Sequence, residues 1–435
     1  MRAKLRLTAK ATPLELPWIA AALLAASPAV ALQPLDVFIA AARERNPDAQ
    51  QARANLAEQN AQADVSLGKQ LPGVSVKGTY DRNQYQVQLT LPIPPAQTFL
   101  IQPRDQWLGN ATLTVPVVDL AGFRRITAAR TNAESYERTL AATRLAVEGQ
   151  TVQDYYQLLA NVALVATAQN YLEVSRENLR LTEARVRAGT ATRLDVDRAQ
   201  ADVEQQVQQL AAAKLQVVLA ARDLQSTTSI APDLSSTVEL TDDLHSEPDL
   251  STFEADLPNV PSVTAAAAAT RAAQQQADAQ KLALLPTIAG SFTEFATNAP
   301  GFEPKDWYYQ ASVYATWAFD LTYVANIRST DASAGAARAR ELKARLNAGD
   351  AINRYWNTVL ADIAQSRSAR AGRDASVHAA EQARAQYQAG TATQLDLLQA
   401  QRDAFRAEVT RIQDDANLLN ARAQLRLSAG QSLLR

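Results

Sequence analysis

Cysteine is missing altogether from this 435-residue chain. Its absence excludes a disulfide framework, a thiolate metal site and an acylated N-terminal cysteine. Methionine occurs once, as the first residue, and histidine only at His245 and His378. Neither histidine has neighbours at a spacing that suggests a metal or a nucleophile–base pair, so both read as surface side chains. There is no Gly-rich phosphate loop, so any energy source must lie in a partner. Nor is there an excess of either charge: 43 basic against 45 acidic residues argue against a nucleic-acid surface. No catalytic constellation is visible, and neither an enzyme nor a cofactor is expected. Past the first thirty residues no apolar run approaches the ~18 residues of a membrane-crossing helix.

The N-terminus has a composition of its own. Arg2, Lys4, Arg6 and Lys10 precede a short apolar stretch, Leu16 to Ala26, and Ala29-Val30-Ala31 supplies small residues before Leu32. This pattern predicts a secretory signal peptide over residues 1–31. An exported protein follows, either soluble or inserted as a β-barrel.

What the chain does contain is a repeat. Arg-Ala-Gly-Thr-Ala-Thr-Arg-Leu-Asp-Val at 187–196 returns as Gln-Ala-Gly-Thr-Ala-Thr-Gln-Leu-Asp-Leu at 388–397. Roughly half the chain therefore repeats the other half. The reading is a first repeat over 32–230, an equatorial linker over 231–260 and a second repeat over 261–435. Each repeat holds a helix, two strands, a very long helix, the Gly-Thr-Ala-Thr turn and another helix.

From Gly122 to Ala188 the only interior glycine is Gly149 and there is no proline. Helix over that length would reach about 100 Å, far beyond a globular helix. Leu158, Val165, Leu172, Leu179 and Val186 recur every seven positions, the mark of coiled-coil packing. The shorter helices, Asp48 to Gln70 and Thr192 to Thr228, laid end to end nearly match the long one. That arithmetic suggests a cylinder of helices.

Strands are clearest from Trp307 to Phe319, where Trp307, Tyr309, Ala311, Val313, Ala315, Trp317 and Phe319 alternate with more polar residues. Trp107 to Val117 alternates likewise, and Val74 to Leu89 and Ile288 to Thr297 are the expected preceding strands. The Pro-rich stretch Leu91 to Pro103 reads as a loop between strands. An outward apolar face with aromatics near its ends fits a transmembrane barrel, and Trp107, Trp307 and Trp317 are candidates for an interfacial girdle. A soluble sheet edge is the alternative for them. Four strands cannot close a barrel in lipid, whereas three protomers would supply twelve.

In the turn itself, Gly189 and Gly390 stand where a helix must stop. Thr192 and Thr393 precede Asp195 and Asp396 by three, a capping box that opens the next helix. Capping alone accounts for these residues. They would also end a tube, where ringed carboxylates can constrict or select, and both can hold at once.

The signal peptide, twofold repeat, strand pairs, long helices and paired Gly-x-x-Thr-x-x-Asp turns together resemble the TolC-like outer-membrane efflux proteins. The resemblance implies a mainly α fold with a small β part: an α-helical barrel joined to a twelve-stranded outer-membrane β-barrel shared by a homotrimer. It implies an exit duct of a tripartite efflux or type I secretion system, passive in itself, whose partners are outer-membrane lipid, a periplasmic adaptor and an inner-membrane transporter. By the same resemblance Asp396, with its first-half counterpart Asp195, and Tyr387 belong to the periplasmic aperture. Arg187, Gly189, Thr190, Thr192, Gly390, Thr391 and Thr393 would meet the adaptor.

This chain departs from the familiar pattern in two places. Gln399 stands where a second aperture acid is expected, and Ala392 where an arginine is expected, with Arg193 and Arg187 as candidates to replace it. The rival reading is a structural or adhesive coiled-coil protein of the periplasm or cell surface. Amphipathic strand pairs between the long helices count against it, because a stalk has no use for them.

Overall fold

The computed structural model describes residues 32–434 apart from 93, 235–239 and 304. The signal peptide expected over 1–31 lies outside the described residues. Among the described residues eight α-helices and six strands follow one another in two similar runs. The first run is α1 (Leu35–Arg45), α2 (Pro47–Gly68), β1 (Gly73–Arg82), β2 (Val87–Leu91), β3 (Gln97–Gln102), β4 (Asp105–Val118), α3 (Leu120–Arg187) and α4 (Arg193–Thr228). After the short α5 (Leu250–Glu254) come α6 (Pro261–Leu282), β5 (Thr287–Thr297), β6 (Trp307–Thr316), α7 (Leu321–Ala389) and α8 (Gln394–Ser428).

The long helices are single elements of 68 and 69 residues, each about 100 Å. Both begin at an aspartate: Asp119 accepts from the Gly122 amide and Asp320 from the Thr322 amide. Beside α3 lie α2 and α6 in one half of its length and α4 and α8 in the other, while α7 packs on α6 and α8. The lateral order is therefore α2–α3–α6–α7 above the middle and α4–α3–α8–α7 below it. The sheet repeats the upper order as β1-β4-β5-β6, all antiparallel, because each strand continues the helix of its own chain segment.

The apolar core gathers at the middle of this array. Phe38, Tyr155, Leu158, Leu159, Leu224 and Ile412 form one cluster, and Phe253, Ile352, Val359, Leu418 and Leu425 form another. Phe38 and Ile39 belong to α1, and no expectation from sequence had assigned that helix. Part of the linker is ordered too. Phe253 of α5 is buried against α7 and α8, and Trp356 donates its indole N–H to the Pro248 carbonyl at 3.0 Å.

Three strand expectations need correction. Val74 to Leu89 is not one strand: β1 ends at Arg82 and β2 starts at Val87. The polar run Asp-Arg-Asn-Gln-Tyr breaks it. The Pro-rich stretch is not wholly loop, because β3 within it pairs with β2 as a separate two-stranded hairpin. The prolines cluster in the turn and at the hairpin's end, where no ladder N–H is needed. Finally, β6 stops at Thr316, so Trp317 lies beyond the strand, where its indole N–H donates to the Leu284 carbonyl at 3.0 Å.

Candidate functional site at the hairpin tips

The two copies of the repeated sequence fold into the same hydrogen-bond pattern. At the first tip Gly189 is left-handed (φ +72°), the Thr190 amide donates to the Arg185 carbonyl at 2.9 Å, and the Gly189 amide donates to Val186 at 3.0 Å. At the second, Gly390 has φ +77°, Thr391 donates to the Gln386 carbonyl at 3.0 Å, and Gly390 donates to Tyr387 at 3.1 Å. This paired closure stops a helix with its last carbonyls satisfied, and it requires the positive φ that glycine tolerates.

Two residues later each chain turns into the next helix through a complete capping box. Asp195 accepts from the Thr192 amide at 2.9 Å and its hydroxyl at 2.8 Å, and the Asp195 amide donates to Thr192 Oγ1 at 3.3 Å. Asp396 and Thr393 repeat this at 3.0, 2.6 and 3.2 Å. The bonds hold both carboxyls below the usual aspartate range. For Asp195 the Thr192 amide contributes most, and for Asp396 the Thr393 hydroxyl does. Each carboxylate is thus committed to its cap through one oxygen; the other oxygen of Asp195 faces Arg198 at 3.9 Å.

Where the tips differ, the second is drawn inward. Gln394 is 4% exposed, whereas the Arg193 side chain at the same place in the first copy is 84% exposed. Tyr387 is buried as well, and three contacts hold it. The Arg185 guanidinium lies 4.5 Å over its ring, Arg185 Nη1 donates to its backbone carbonyl, and its hydroxyl is 3.3 Å from Thr182 Oγ1. Arg185 stands on α3 and Tyr387 on α7, so this cluster ties the end of one hairpin to the end of the other.

Sequence reasoning passed over Arg185, whose partner lies 202 positions away. Arg187 and Arg193, the candidates to replace the missing arginine, do not reach Tyr387 within the protomer. Arg193 pairs loosely with Asp197 at 3.6 Å, and Arg187 is exposed. Gln399 donates to the Asp403 carboxylate at 3.1 Å along its own helix. Leu194 and Leu395, just inside the two caps, leave more than half of their surface uncovered.

Packing changes character between the middle and the tips. Where the core clusters hold leucine, isoleucine and valine throughout, the tip-proximal seam mixes Leu172, Val203, Leu397 and Leu398 with buried Ser175, Asn178, Thr182, Asp202 and Gln401. Asn178 donates to Gln401 at 2.6 Å, Ser175 to Asp202 at 2.6 Å, and Arg402 to Asp202 at 3.2 Å. Such bonds add only about 1 kcal/mol net each, since water can replace them when helices part. Leucine burial contributes about twice that per residue and has no substitute in water.

His245 is not the unengaged surface side chain expected of it. Its Nδ1 lies 2.5 Å from Asp243 and its Nε2 is 2.9 Å from Arg422 Nη1. Asp242, Asp243 and His245 are the one trio among the described residues close enough together to hold a metal. Arg422, almost fully buried, pairs with Asp242 and Glu247 and already supplies the positive charge there. The cluster therefore fastens the linker to α8. His378 remains exposed, as expected.

At the opposite end, direct cross-strand partners sort the sheet into two faces. One carries Val74, Val76, Tyr80, Trp107, Leu113, Phe292, Trp307, Tyr309 and Val313, all substantially exposed. The other carries Ser75, Lys77, Asn110, Thr112, Thr293, Gln310 and Ser312, together with Leu108, Phe295, Tyr308 and Tyr314. Both edges, β1 and β6, lack a partner strand within the protomer. Among the described residues no helix is long and apolar enough to cross a membrane.

Comparison with known proteins agrees with this architecture. Residues 38–228 and 254–431 match the outer membrane efflux protein family. A fusaric acid resistance protein, FusA of Burkholderia cepacia, is 27% identical over 202 residues; the match spans 46% of this chain and 37% of that relative. The structure of the outer-membrane channel OprN superposes with a TM-score of 0.79 at 21% identity, covering 92% of this chain and 91% of that one. The outer membrane protein VceC of Vibrio cholerae gives 0.77 at 18% identity, covering 92% and 97%.

Proposed function

The chain belongs to the outer membrane efflux protein family, and from that premise we propose that three copies of it close into a passive exit duct across the outer membrane and periplasm. The observation that carries this reading is the sheet. Its apolar face runs in six rows from Tyr80–Trp107 to Val118–Ile288–Ala315. Ten residues of strand tilted by ~40° rise about 25 Å, the height of a lipid-facing band. A sheet with two open edges cannot sit in hydrocarbon, so β6 of one copy pairs with β1 of the next. Three copies give twelve strands, with the polar face lining the lumen and Trp107 and Trp307 at the outer girdle.

The helices support the same closure. Below the middle, Leu215, Val218 and Leu219 on α4 and Leu360 on α7 are exposed on the two lateral edge helices, and above it Val65 on α2 and Leu342 and Leu346 on α7 are. Closing the ring brings these edges together. The six tips then surround one periplasmic mouth. Asp195, Asp396, Tyr387, Arg193 and Gln399 stand at its aperture. Arg187, Gly189, Thr190, Thr192, Gly390, Thr391 and Thr393 offer themselves to the end of a periplasmic adaptor, which couples the duct to an inner-membrane transporter. Nothing in this arrangement performs chemistry; the transporter supplies the energy. The resistance for which FusA is named makes fusaric acid the first cargo to test.

Extraction from outer membranes in detergent tests the assembly. A heat-sensitive trimer that inserts into planar bilayers as a channel supports the duct. Release as a monomer by osmotic shock alone would favour the structural or adhesive coiled-coil reading and end this one.

A further inference from the structure

Aromatic rings interrupt the polar face of the sheet. The row Lys77–Asn110–Phe295–Tyr308 crosses all four strands there. The row beneath it, Ser75–Thr112–Thr293–Gln310, is polar throughout, and the hydroxyls of Thr112 and Thr293 satisfy each other at 3.0 Å. Phe295 and Tyr308 stack with ring centroids 5.1 Å apart and planes 23° from parallel. Neighbouring strands are about 4.8 Å apart, so the stack runs along the row, and the second face of Phe295 turns toward Asn110 and Lys77.

Charge singles out the same row. Among the described residues Lys77 is the one cation that the four strands carry on this face, and it is exposed. The acids nearest to it on that side are Asp81, about 13 Å higher on β1, and Asp306, just before β6 at the far edge of the sheet. Neither pairs with Lys77, and among the described residues no hydrogen bond engages its ammonium or the Asn110 side-chain amide. A cation, a free amide and a stacked pair of rings thus stand in line. A flat organic acid needs those groups in that order: donors for its carboxylate at one end and an aromatic face for its ring at the other.

We propose that this row is a luminal subsite for small aromatic carboxylates, with the carboxylate on Lys77 and Asn110 and the ring on the open face of Phe295. It rests on the reading of the polar face as the lumen of a closed duct, and it names a class of cargo for that duct. The spacing fits. Lys77 and Phe295 are two strands, about 10 Å, apart; the four-carbon lysine stem covers about half of that, and one ring with its carboxylate fills the rest. Three copies set three lysines around the lumen, and such a cationic ring favours anions. Solvent exposure keeps each contact weak, which a conducting site requires if its occupant is to leave.

The test uses the full-length trimer in planar bilayers, with benzoate and cyclohexanecarboxylate as probes. They match in charge and nearly in size, but only benzoate is flat and aromatic. Reversal potentials in a KCl gradient report ion preference, and the fall in single-channel current with each acid reports occupancy. In the wild type benzoate should act at about tenfold lower concentration than cyclohexanecarboxylate. Lys77→Gln should weaken both acids and shift the reversal potential toward cation preference, whereas Lys77→Arg should behave as wild type. Phe295→Leu should bring benzoate to the level of cyclohexanecarboxylate and leave the reversal potential where it was. Equal action of the two acids on the wild type, or an unchanged block and reversal potential in Lys77→Gln, would overturn the proposal. Absence of any channel would instead refute the duct, and the subsite with it.

Discussion

Replacing Arg185 with alanine removes two contacts that join the hairpins at the aperture. The guanidinium lies 4.5 Å over the Tyr387 ring, in a partly buried setting where cation–π attraction is worth about 1 kcal/mol. Its N–H donates to the Tyr387 carbonyl, a charge-assisted bond worth about 1.5 kcal/mol. Losing both shifts the balance between joined and separated tips by about 2.5 kcal/mol, or about 70-fold, in each protomer. The polar bonds behind them add little, because Thr182, Asn178 and Gln401 exchange theirs with water, and the buried Leu397 and Leu398 are unchanged by the substitution. Single-channel recording in planar bilayers should show Arg185→Ala with higher conductance or longer open times than wild type. Arg185→Lys should fall between them, keeping the charge but losing the flat fork that stacks and donates together. If conductance and open time stay unchanged while thermal stability drops, Arg185 merely caps α7 and the coupling argument is wrong.

Four further outcomes follow from the same structure. Thr192→Ala and Thr393→Ala should each cost about 1 kcal/mol at one tip, read as faster amide exchange in the first turns of α4 and α8, with the sheet unaffected. Arg422→Ala leaves Asp242 and Glu247 buried without a counter-charge, so it should destabilise by about 3 kcal/mol and expose the linker to limited proteolysis. Burial raises the carboxyl of Glu408, but Arg411 and Arg373 outweigh it and hold the carboxyl below its ordinary range. The stability that Glu408 adds is therefore present above pH ~4.3 and lost as acid titrates the folded state, and Glu408→Gln should flatten the acid limb of a melting-temperature profile. Burial raises Asp362 and Asp414, each also facing an acidic neighbour, so Asp362→Asn and Asp414→Asn should raise the melting temperature at pH 7 and have no effect below pH ~3.9.

Much of this architecture was legible because its causes are local. A 3.5-residue apolar period, caps three residues apart and glycine at a left-handed stop are written within a few positions of where they act. The long helices, the strands Thr287–Thr297 and Asp105–Val118 and both capping boxes follow from such short-range patterns. Features that depend on distant partners were not legible. Arg185 looks like any helix-terminal arginine until α3 and α7 are brought together. His245 looks like a linker histidine until Arg422 is placed beside it. The change from Arg193 to Gln394 between the copies appeared as a difference without a cause. Burial of the second tip against α3 supplies one, since a charge there would find no water. The β2–β3 hairpin stayed hidden because prolines argue for loop wherever they occur, and only pairing reveals that these avoid the ladder.

Ring closure through the open sheet edges is the central claim, and the missing cysteine makes it directly measurable. Cysteine pairs placed one on β1, between Val74 and Gly78, and one on β6, between Tyr309 and Val313, would oxidise only across neighbouring copies. In outer membranes at least one pair should give a covalent ladder that ends at three chains and cannot be dissociated by boiling without reductant. A ladder continuing past three, or monomer for every pair across both strands, would contradict the closed twelve-stranded barrel.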